Sequence, residues 1–284
     1  AVMIRTLYHK TINILKENYE ITSRPEQIQK AKSALKDKLR DWEKSQIEDE
    51  INRHYAGFYL GLTTQTQEIF SDLSKNINTL SINSKVETDL ARDATKICFL
   101  IEDHPGIFSR LAGAIALSGA NVIDARTYTT SDGFATSVFW MQNKESKPFE
   151  KNRLNKLNQT INDALKGQII ARDILKEKGK IKKKEKDFIV PTNITFDNDG
   201  SEIYTIIEIE TRDRLGLLFD LAKTLSDNYI SISSAIIATF GEQAVDTFYV
   251  KDLFGLKLYS LSKRKKLEQK LKEAIQAGTL VDPY

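Results

Sequence analysis

Residues 102–133 read EDHPGIFSRLAGAIALSGANVIDARTYTTSDG and join a strand end, a tight turn, a helix and a second strand. The turn at Pro105-Gly106 follows an apolar, strand-like run and precedes apolar residues at helical spacing. Gly119 stands where a helix C-terminal cap is expected, and alternating apolar and polar residues begin at Asn121. The Asp-Gly pair that closes the stretch is a hairpin signal. This order predicts two strands joined by a crossover helix, with a third strand to follow.

The flanking segments complete an α+β unit around this stretch. The predicted strands cover 97–102, 121–130, 135–142 and 168–175, and the predicted helices cover 107–118 and 149–166. The resulting order is βαββαβ, which is a ferredoxin-like unit.

The same pattern returns about 110 residues downstream. Residues 103–106 align with residues 213–216, and Ala125 aligns with Ala235 at the same offset of 110. In the next strand the offset falls to 109 because one hairpin residue is lost. An offset this steady over several elements indicates an internal duplication, so the chain is predicted to contain two ferredoxin-like units.

The other segments separate these units from each other and from the N-terminus. Apolar stripes at helical spacing fill the first part of the chain, where Ser23 and Glu26 form a capping box around Pro25. The run KEKGKIKKKEKD at 176–187 is typical of a solvated linker. The predicted organisation is a helical segment, a first unit, a charged linker and a second unit, at 1–88, 95–175, 176–200 and 201–284.

Composition excludes several classes of function. The 42 basic and 39 acidic residues give a net charge of +3, which is too balanced to indicate nucleic-acid binding. No apolar run approaches the about 18 residues of a membrane helix, and the first residues lack the apolar core of a secretory signal. A cytoplasmic location without membrane contact is therefore expected. Cys98 is the single cysteine, which excludes an intramolecular disulfide and a cysteine zinc site.

No catalytic signature is found in the sequence. HExxH, GxSxG, GxxxxGK[ST] and GxGxxG are all absent. The pair Asp197 and Asp199 fits a turn better than a metal site, and His9 and His54 have no partner at ligand spacing. We therefore expect no catalytic residue and no metal ligand in this chain.

The repeated turn at the start of a helix is the best candidate for ligand binding. Backbone N–H groups at a helix start carry partial positive charge and can hold a carboxylate. Asn121, at the start of the next strand, is expected beside the turn of its own unit, where its amide suits the polar groups of an amino acid. The alternative is that the turn only connects strand and helix.

At these motifs the sequence resembles the ACT domain, a βαββαβ module that binds amino acids for feedback control. The stretch 102–133, together with ETRDRLGLLFDLAKTLSDNYISISSAIIATFGEQAVDTFYVKDLFGLK at 210–257, resembles the C-terminal half of the bifunctional PII uridylyltransferase/uridylyl-removing enzymes. The resemblance extends to the helical segments around 4–8 and 53–55.

That resemblance carries further expectations. The family places a nucleotidyltransferase domain and a metal-dependent HD hydrolase domain before two ACT domains, and this chain has no His-Asp dipeptide. Residues 1–88 resemble only the tail that follows the HD core. The implied effector is L-glutamine and the implied partner is the PII protein, which receives UMP from UTP and loses it again. Magnesium and UTP belong to the missing catalytic domains, so no cofactor is expected in this chain.

The resemblance also implies the effector-binding residues. They are Asp103, His104, Gly106, Ile107, Asn121 and Val122 in the first ACT domain, and Asp213, Gly216, Leu217, Ser231 and Ile232 in the second. The sequence departs from the family at Leu215, where proline is usual, and at Ser137, where aspartate is usual although the second repeat retains Asp246. The two sites are therefore not expected to be equivalent, and the first ranks ahead of the second.

Two other readings remain open. The chain is alternatively a free-standing tandem-ACT regulator that binds another amino acid and acts through a protein partner. It is otherwise a pairing module without a ligand, since exposed sheet edges favour self-association of ACT units.

Overall fold

The computed structural model describes residues 23–75, 82–166 and 190–277. The chain forms two compact units, 1–68 and 69–284. The described part of the first is helical, and the second contains two sheets. No helix in the three described ranges combines the length and apolar content that a membrane crossing requires.

The first unit contains the helices α1, Arg24–Lys38, α2, Lys44–Asn52, and α3, Ala56–Gly61, and α4, Thr64–Lys75, begins in it. The predicted capping interaction is present, because the Ser23 N–H donates to Glu26 Oε2 at 2.7 Å. His54 is buried, stacks on Phe58 with ring centroids 3.7 Å apart, and lies 3.2 Å from Glu50 Oε1. This histidine therefore has a packing role in the helical unit.

The second unit contains two four-stranded antiparallel sheets with their helices, which confirms the predicted α+β class. The first repeat comprises β1, Asn83–Asp89, β2, Ala94–Glu102, α5, Ile107–Leu117, β3, Asn121–Thr129, β4, Phe134–Gln142, and α6, Lys151–Leu165. The second comprises β5, Asn193–Asp197, β6, Thr205–Arg212, α7, Leu217–Asp227, β7, Ile230–Phe240, β8, Gln243–Asp252, and α8, Leu261–Ala277. The strand orders are β1-β2-β4-β3 and β5-β6-β8-β7.

In each sheet, one edge strand precedes the rest of its repeat in the sequence, whereas the predicted order βαββαβ places the fourth strand after the second helix. β1 pairs with β2 and β5 pairs with β6, so the described order in each repeat is ββαββα. β1 falls at the end of the predicted helical segment 1–88 and extends one residue beyond it, and β5 lies inside the predicted linker 176–200. Both are short and incompletely buried, as edge strands are. β1, NSKVETD, has no marked alternation, and β5, NITFD, alternates over only five residues. The predicted strand 168–175 lies outside the described residues.

Both repeats share details that only a duplication explains. Gly106 and Gly216 precede their helices at φ +85° and +82°. β3 and β7 carry a register irregularity at matching places, between Val122 and Asp124 and between Ile232 and Ser234. The apolar residues of the two repeats form one continuous buried cluster. β3 lies beside β7 and α5 beside α7, so the repeats meet side by side.

Candidate functional site

Two cavities lie where the repeats meet, and together they contain all eleven predicted site residues. Site 1 contains the turn 103–106, the start of α5, and Ser231 and Ile232 of β7, and its volume is about 150 Å³. Site 2 contains the turn 213–216, the start of α7, and Asn121 and Val122 of β3, and its volume is about 20 Å³. Each site therefore combines the turn of one repeat with the strand start of the other.

This arrangement differs from the predicted grouping, in which Asn121 and Val122 lie beside the turn of their own repeat and Ser231 and Ile232 beside theirs. The sheet register gives the reason. β4 pairs Phe134 with Glu102 at the turn, and pairs Gln142 with Asn121. Asn121 therefore lies eight residues, about 27 Å, from its own turn. The crossover helix returns the chain to the far end of the sheet, so only the neighbouring repeat brings a turn to Asn121.

The two turns have the same backbone. The Asp103 N–H donates to the Gly133 carbonyl at 2.8 Å, and the Asp213 N–H donates to the Glu242 carbonyl at 2.7 Å. The Ile107 N–H reaches the His104 carbonyl at 3.0 Å, and the second turn repeats this bond with Leu217 and Arg214 at 3.1 Å. Leu215 in place of proline therefore leaves the turn unchanged.

Gly106 marks a close approach between the repeats. Its φ of +85° is a left-handed conformation that side chains disfavour. A Cβ at this position would lie 3.0 Å from Ser226 Oγ on α7 of the second repeat. The absence of a side chain is thus needed both for the turn and for the contact that closes site 1.

Site 1 contains one carboxylate among hydroxyl groups. Thr129 Oγ1 donates to Asp103 Oδ2 at 2.8 Å, while burial raises the pKa of Asp103 above its usual value. Outside the lining of site 1, Thr127 and Ser137 bring their hydroxyls within 2.7 Å of each other at buried, paired positions of β3 and β4. Ser137, the departure from the family pattern, therefore forms a neutral and satisfied pair.

Site 2 contains two carboxylates. Asp213 accepts hydrogen bonds from the side chains of Asn121 and Thr239, and burial raises its pKa. Asp246 is fully buried, and burial together with the charge of Asp213 raises its pKa well above the usual value. Within the part of the chain that the structure describes, Asp246 Oδ1 has no hydrogen-bond partner. A buried acceptor without a donor is costly, so this site favours the protonated acid or a ligand that donates.

An arginine stabilises the base of each turn, from a different position in each repeat. In the first, Arg110 of α5 donates to the Leu165 carbonyl at 2.5 Å and lies 3.4 Å from His104 Nε2. In the second, Arg214 of the turn donates to the Ala274 carbonyl at 3.2 Å and to Asp220 at 2.6 Å. Each guanidinium thus links the turn region to the last helix of its repeat.

Several lining residues were not among the predicted site residues, although the sequence analysis had noted Asp246 as an aspartate that the first repeat lacks. Ala222 and Ser226 of α7 line site 1, and Thr239 and Asp246 line site 2. Thr239 matches Thr129 at the duplication offset of 110, and neither threonine was predicted as a site residue. The α7 residues had no local signal, because they belong to site 1 only through the packing of the repeats.

Comparison with known proteins agrees with the repeats. Residues 193–281 match the family described as ACR9-like, ACT-like domain. The bifunctional uridylyltransferase/uridylyl-removing enzymes of Cereibacter sphaeroides and Ruegeria pomeroyi are each 49% identical over 98% of this chain. Among solved structures, the aspartate kinase from Synechocystis matches 65% of this chain and 27% of its own, at 15% identity and a TM-score of 0.34.

The chain spans about 30% of the length of the curated relatives that it matches. Identity near one half over almost the whole chain is far beyond what a shared fold requires. The chain is therefore homologous to the C-terminal part of the bifunctional uridylyltransferase/uridylyl-removing enzymes and carries an ACT-like domain.

Proposed function

We propose that this chain is the effector-sensing region of a PII uridylyltransferase/uridylyl-removing enzyme, and that L-glutamine is its effector. In this proposal glutamine controls the transfer of UMP from UTP to the PII protein and the hydrolytic removal of that UMP. UTP and magnesium act in the catalytic part of the enzyme, which this chain does not span. The same assignment gives PII as the protein partner and the cytoplasm as the location.

One observation carries the proposal: each helix-start turn lines a cavity together with a strand start from the other repeat, and an aspartate of the turn, Asp103 or Asp213, belongs to that lining. The free N–H groups of the helix start suit the α-carboxylate of an amino acid. The aspartate accepts from the α-ammonium, whose positive charge would oppose the effect of burial on the aspartate pKa. The hydroxyl of Ser231 and the amide of Asn121 offer both donors and acceptors to the side chain of glutamine.

Site 1 is the better candidate of the two. Its volume of about 150 Å³ leaves room for a small ligand, whereas the about 20 Å³ of site 2 leaves room for little more than a water molecule. Asp103 is the single aspartate of site 1, so a bound ammonium meets one carboxylate there. In site 2 the Asn121 amide is already engaged by Asp213.

Binding at the junction gives a physical route to regulation. A ligand shifts an equilibrium only when it binds one arrangement better than another. Because each site takes residues from both repeats, any change in their packing changes the site. Glutamine therefore stabilises one packing of the pair, and the catalytic part of the enzyme responds to that packing.

Calorimetric titration of the full chain with L-glutamine tests this proposal. We expect saturable binding of glutamine. The thermal midpoint should rise, since a ligand at 100 times its Kd adds about 2.7 kcal/mol of stability. UTP should have no effect. Asp103→Asn should weaken binding at least tenfold, and Asp199→Asn, which changes an exposed carboxylate outside both sites, should not.

The other outcomes are equally informative. Binding of a different amino acid in preference to glutamine would support the free-standing regulator instead. The absence of binding by glutamine and by a panel of amino acids, at millimolar concentration, would contradict both and leave the pairing module.

A further inference from the structure

The turn between β8 and α8 exposes large apolar side chains. Leu253, Phe254 and Leu256 are 60%, 81% and 57% exposed. Beside them lies an apolar groove of about 470 Å³ between the end of α7 and the face of α8. Leu258 and Leu267 belong to both this groove and the buried core. The groove and the three exposed residues are called the α8 groove.

The first repeat shows that the fold does not require these apolar residues. The matching turn between β4 and α6 has Lys144, Glu145 and Lys147 at the positions of Leu253, Phe254 and Leu256. Both turns have the same backbone bonds. The N–H groups of 145 and 147 donate to Asn143 Oδ1 at 2.9 and 3.0 Å, and those of 254 and 256 both donate to Asp252 Oδ1 at 2.9 Å. The same turn is therefore polar in one repeat and apolar in the other.

A strained aromatic residue lies at the same place. Tyr229 lines the groove, is largely exposed, and has a left-handed φ of +61°. The matching residue of the first repeat is Gly119, at φ +80°. A bulky residue in this conformation is uncommon and costs free energy that glycine does not, and such outliers cluster at functional sites. The presence of a tyrosine in this conformation is a second observation that points to the α8 groove.

A basic stripe borders the groove. Lys263, Lys266 and Lys270 lie on one face of α8, since they are spaced by three and four residues, and all three are exposed. None of their ammonium groups has an ion-pair partner within 4 Å among the residues that the structure describes. The groove carboxylates of Asp227 and Asp252 are engaged by Lys223 and by backbone N–H groups. The uncompensated charge of the groove is therefore positive.

We propose that the α8 groove binds an amphipathic protein segment, with apolar side chains along one face and carboxylates along its flank. A protein segment can insert side chains into a concave groove, whereas a bilayer surface is flat on this scale. The concave shape therefore favours a protein segment as the occupant. A second copy of the chain is disfavoured, because a symmetric contact through the groove would bring two sets of lysines together. A segment that supplies apolar residues and carboxylates matches both the floor and the rim.

Three synthetic 18-residue helical peptides test the proposal by fluorescence anisotropy with the full chain. The first has leucine and phenylalanine on one face and glutamate elsewhere, the second replaces glutamate by lysine, and the third replaces the apolar residues by serine. We expect the acidic apolar peptide to bind at least tenfold more tightly than the other two. Equal binding of the acidic and basic peptides, or binding of none, would overturn the proposal.

The first repeat supplies the matched variant. Leu253→Lys, Phe254→Glu and Leu256→Lys together install the residues that the same turn already carries at 144, 145 and 147, so the fold is retained. This variant should bind the acidic apolar peptide at least tenfold more weakly than the unchanged chain does. Leu90→Lys, which removes an exposed leucine outside the groove, should leave binding unchanged. Reversal of charge at Lys263, Lys266 and Lys270 to glutamate should exchange the preference between the acidic and basic peptides.

Two further measurements separate the other occupants. Sedimentation of the full chain would overturn the proposal if it showed a dimer that the triple turn variant abolishes. Vesicles of phosphatidylcholine with 30% phosphatidylserine would overturn it if they bound the chain through the same turn while the acidic peptide did not.

Discussion

The two repeats share a backbone and differ in what they place on it. Both begin their first helix at a left-handed glycine, and both carry the same turn before their last helix. Yet the first repeat pairs Thr127 with Ser137, where the second has Ile237 and the buried Asp246. The comparison teaches that the fold is held by a few backbone features, and that the chemistry of each repeat has changed independently of them.

The interior shows the same division. The first repeat packs Phe139 against Phe108 at 5.4 Å and Phe99 at 6.1 Å, measured between ring centroids. The matching positions around Phe248 are occupied by Leu218 and Ile209. An aromatic cluster and an aliphatic cluster therefore fill equivalent spaces in the two sheets.

The largest expected effect comes from these two phenylalanines. Phe139→Ala and Phe248→Ala each remove a fully buried ring, and should lower the free energy of unfolding by about 3–5 kcal/mol. Phe139→Ala should cost about 1 kcal/mol more, because it also loses two aromatic neighbours. Urea unfolding measures both, and equal losses would show that the aromatic contacts add nothing.

Substitution of Gly106 should follow in size. Gly106→Ala is expected to lower the free energy of unfolding by about 2 kcal/mol, because it strains the left-handed turn and crowds Ser226. Gly133→Ala is the matched control, since Gly133 has a φ of +86° but open space around it, and should cost about 1 kcal/mol.

Ser226→Ala tests the origin of the difference between the two glycines. Combined with Gly106→Ala, it should recover most of the additional loss. A double variant that is no more stable than Gly106→Ala would place the cost in the backbone alone.

Asp246→Asn should stabilise the protein in a pH-dependent way. Burial raises the folded-state pKa of Asp246, so the folded state binds its proton more tightly than the unfolded state does. Stability from this group is therefore present at low pH and is lost as pH rises through the folded pKa. The amide does not titrate, so the variant should gain at least about 1 kcal/mol at pH 8 and little near pH 4. Urea unfolding across this range, with Asp199→Asn as control, would contradict the assignment if the slope were unchanged.

The smallest expected effect concerns Tyr229. Tyr229→Gly removes a side chain from a left-handed position, and the relief of about 1–2 kcal/mol outweighs the added backbone entropy of glycine. We expect a net gain of about 0.5 kcal/mol in the free energy of unfolding, together with weaker binding of the acidic apolar peptide. Gly119→Ala in the first repeat should have the opposite effect on stability. A loss of stability in Tyr229→Gly would show that the tyrosine packs favourably in the free protein.

Sequence reasoning succeeded where the signal is local. The apolar run before Asp103, the helical spacing after Gly106 and the Asp-Gly hairpin each determine one element through nearby residues. The duplication then transferred those elements to the second repeat. The strands β1 and β5 were missed because an edge strand buries little, and a polar segment such as NSKVETD has no marked alternation.

The composition of the sites was beyond local patterns. The eleven predicted residues line the two cavities, but their partition between the cavities depends on how the repeats pack. Part of the answer was accessible, since parallel strands joined by a crossover helix begin at the same end of a sheet, which places Asn121 far from its own turn. No pattern in one repeat indicates that the other supplies the missing turn.

The sharing of sites has an evolutionary consequence. In a symmetric dimer of single repeats, every substitution is made twice, so both sites change together. In a tandem chain each substitution is made once. Ser137 and Asp246, or Gly119 and Tyr229, could therefore diverge while the junction stayed intact. In the tandem chain the two sites are therefore open to separate selection, although each depends on residues of both repeats.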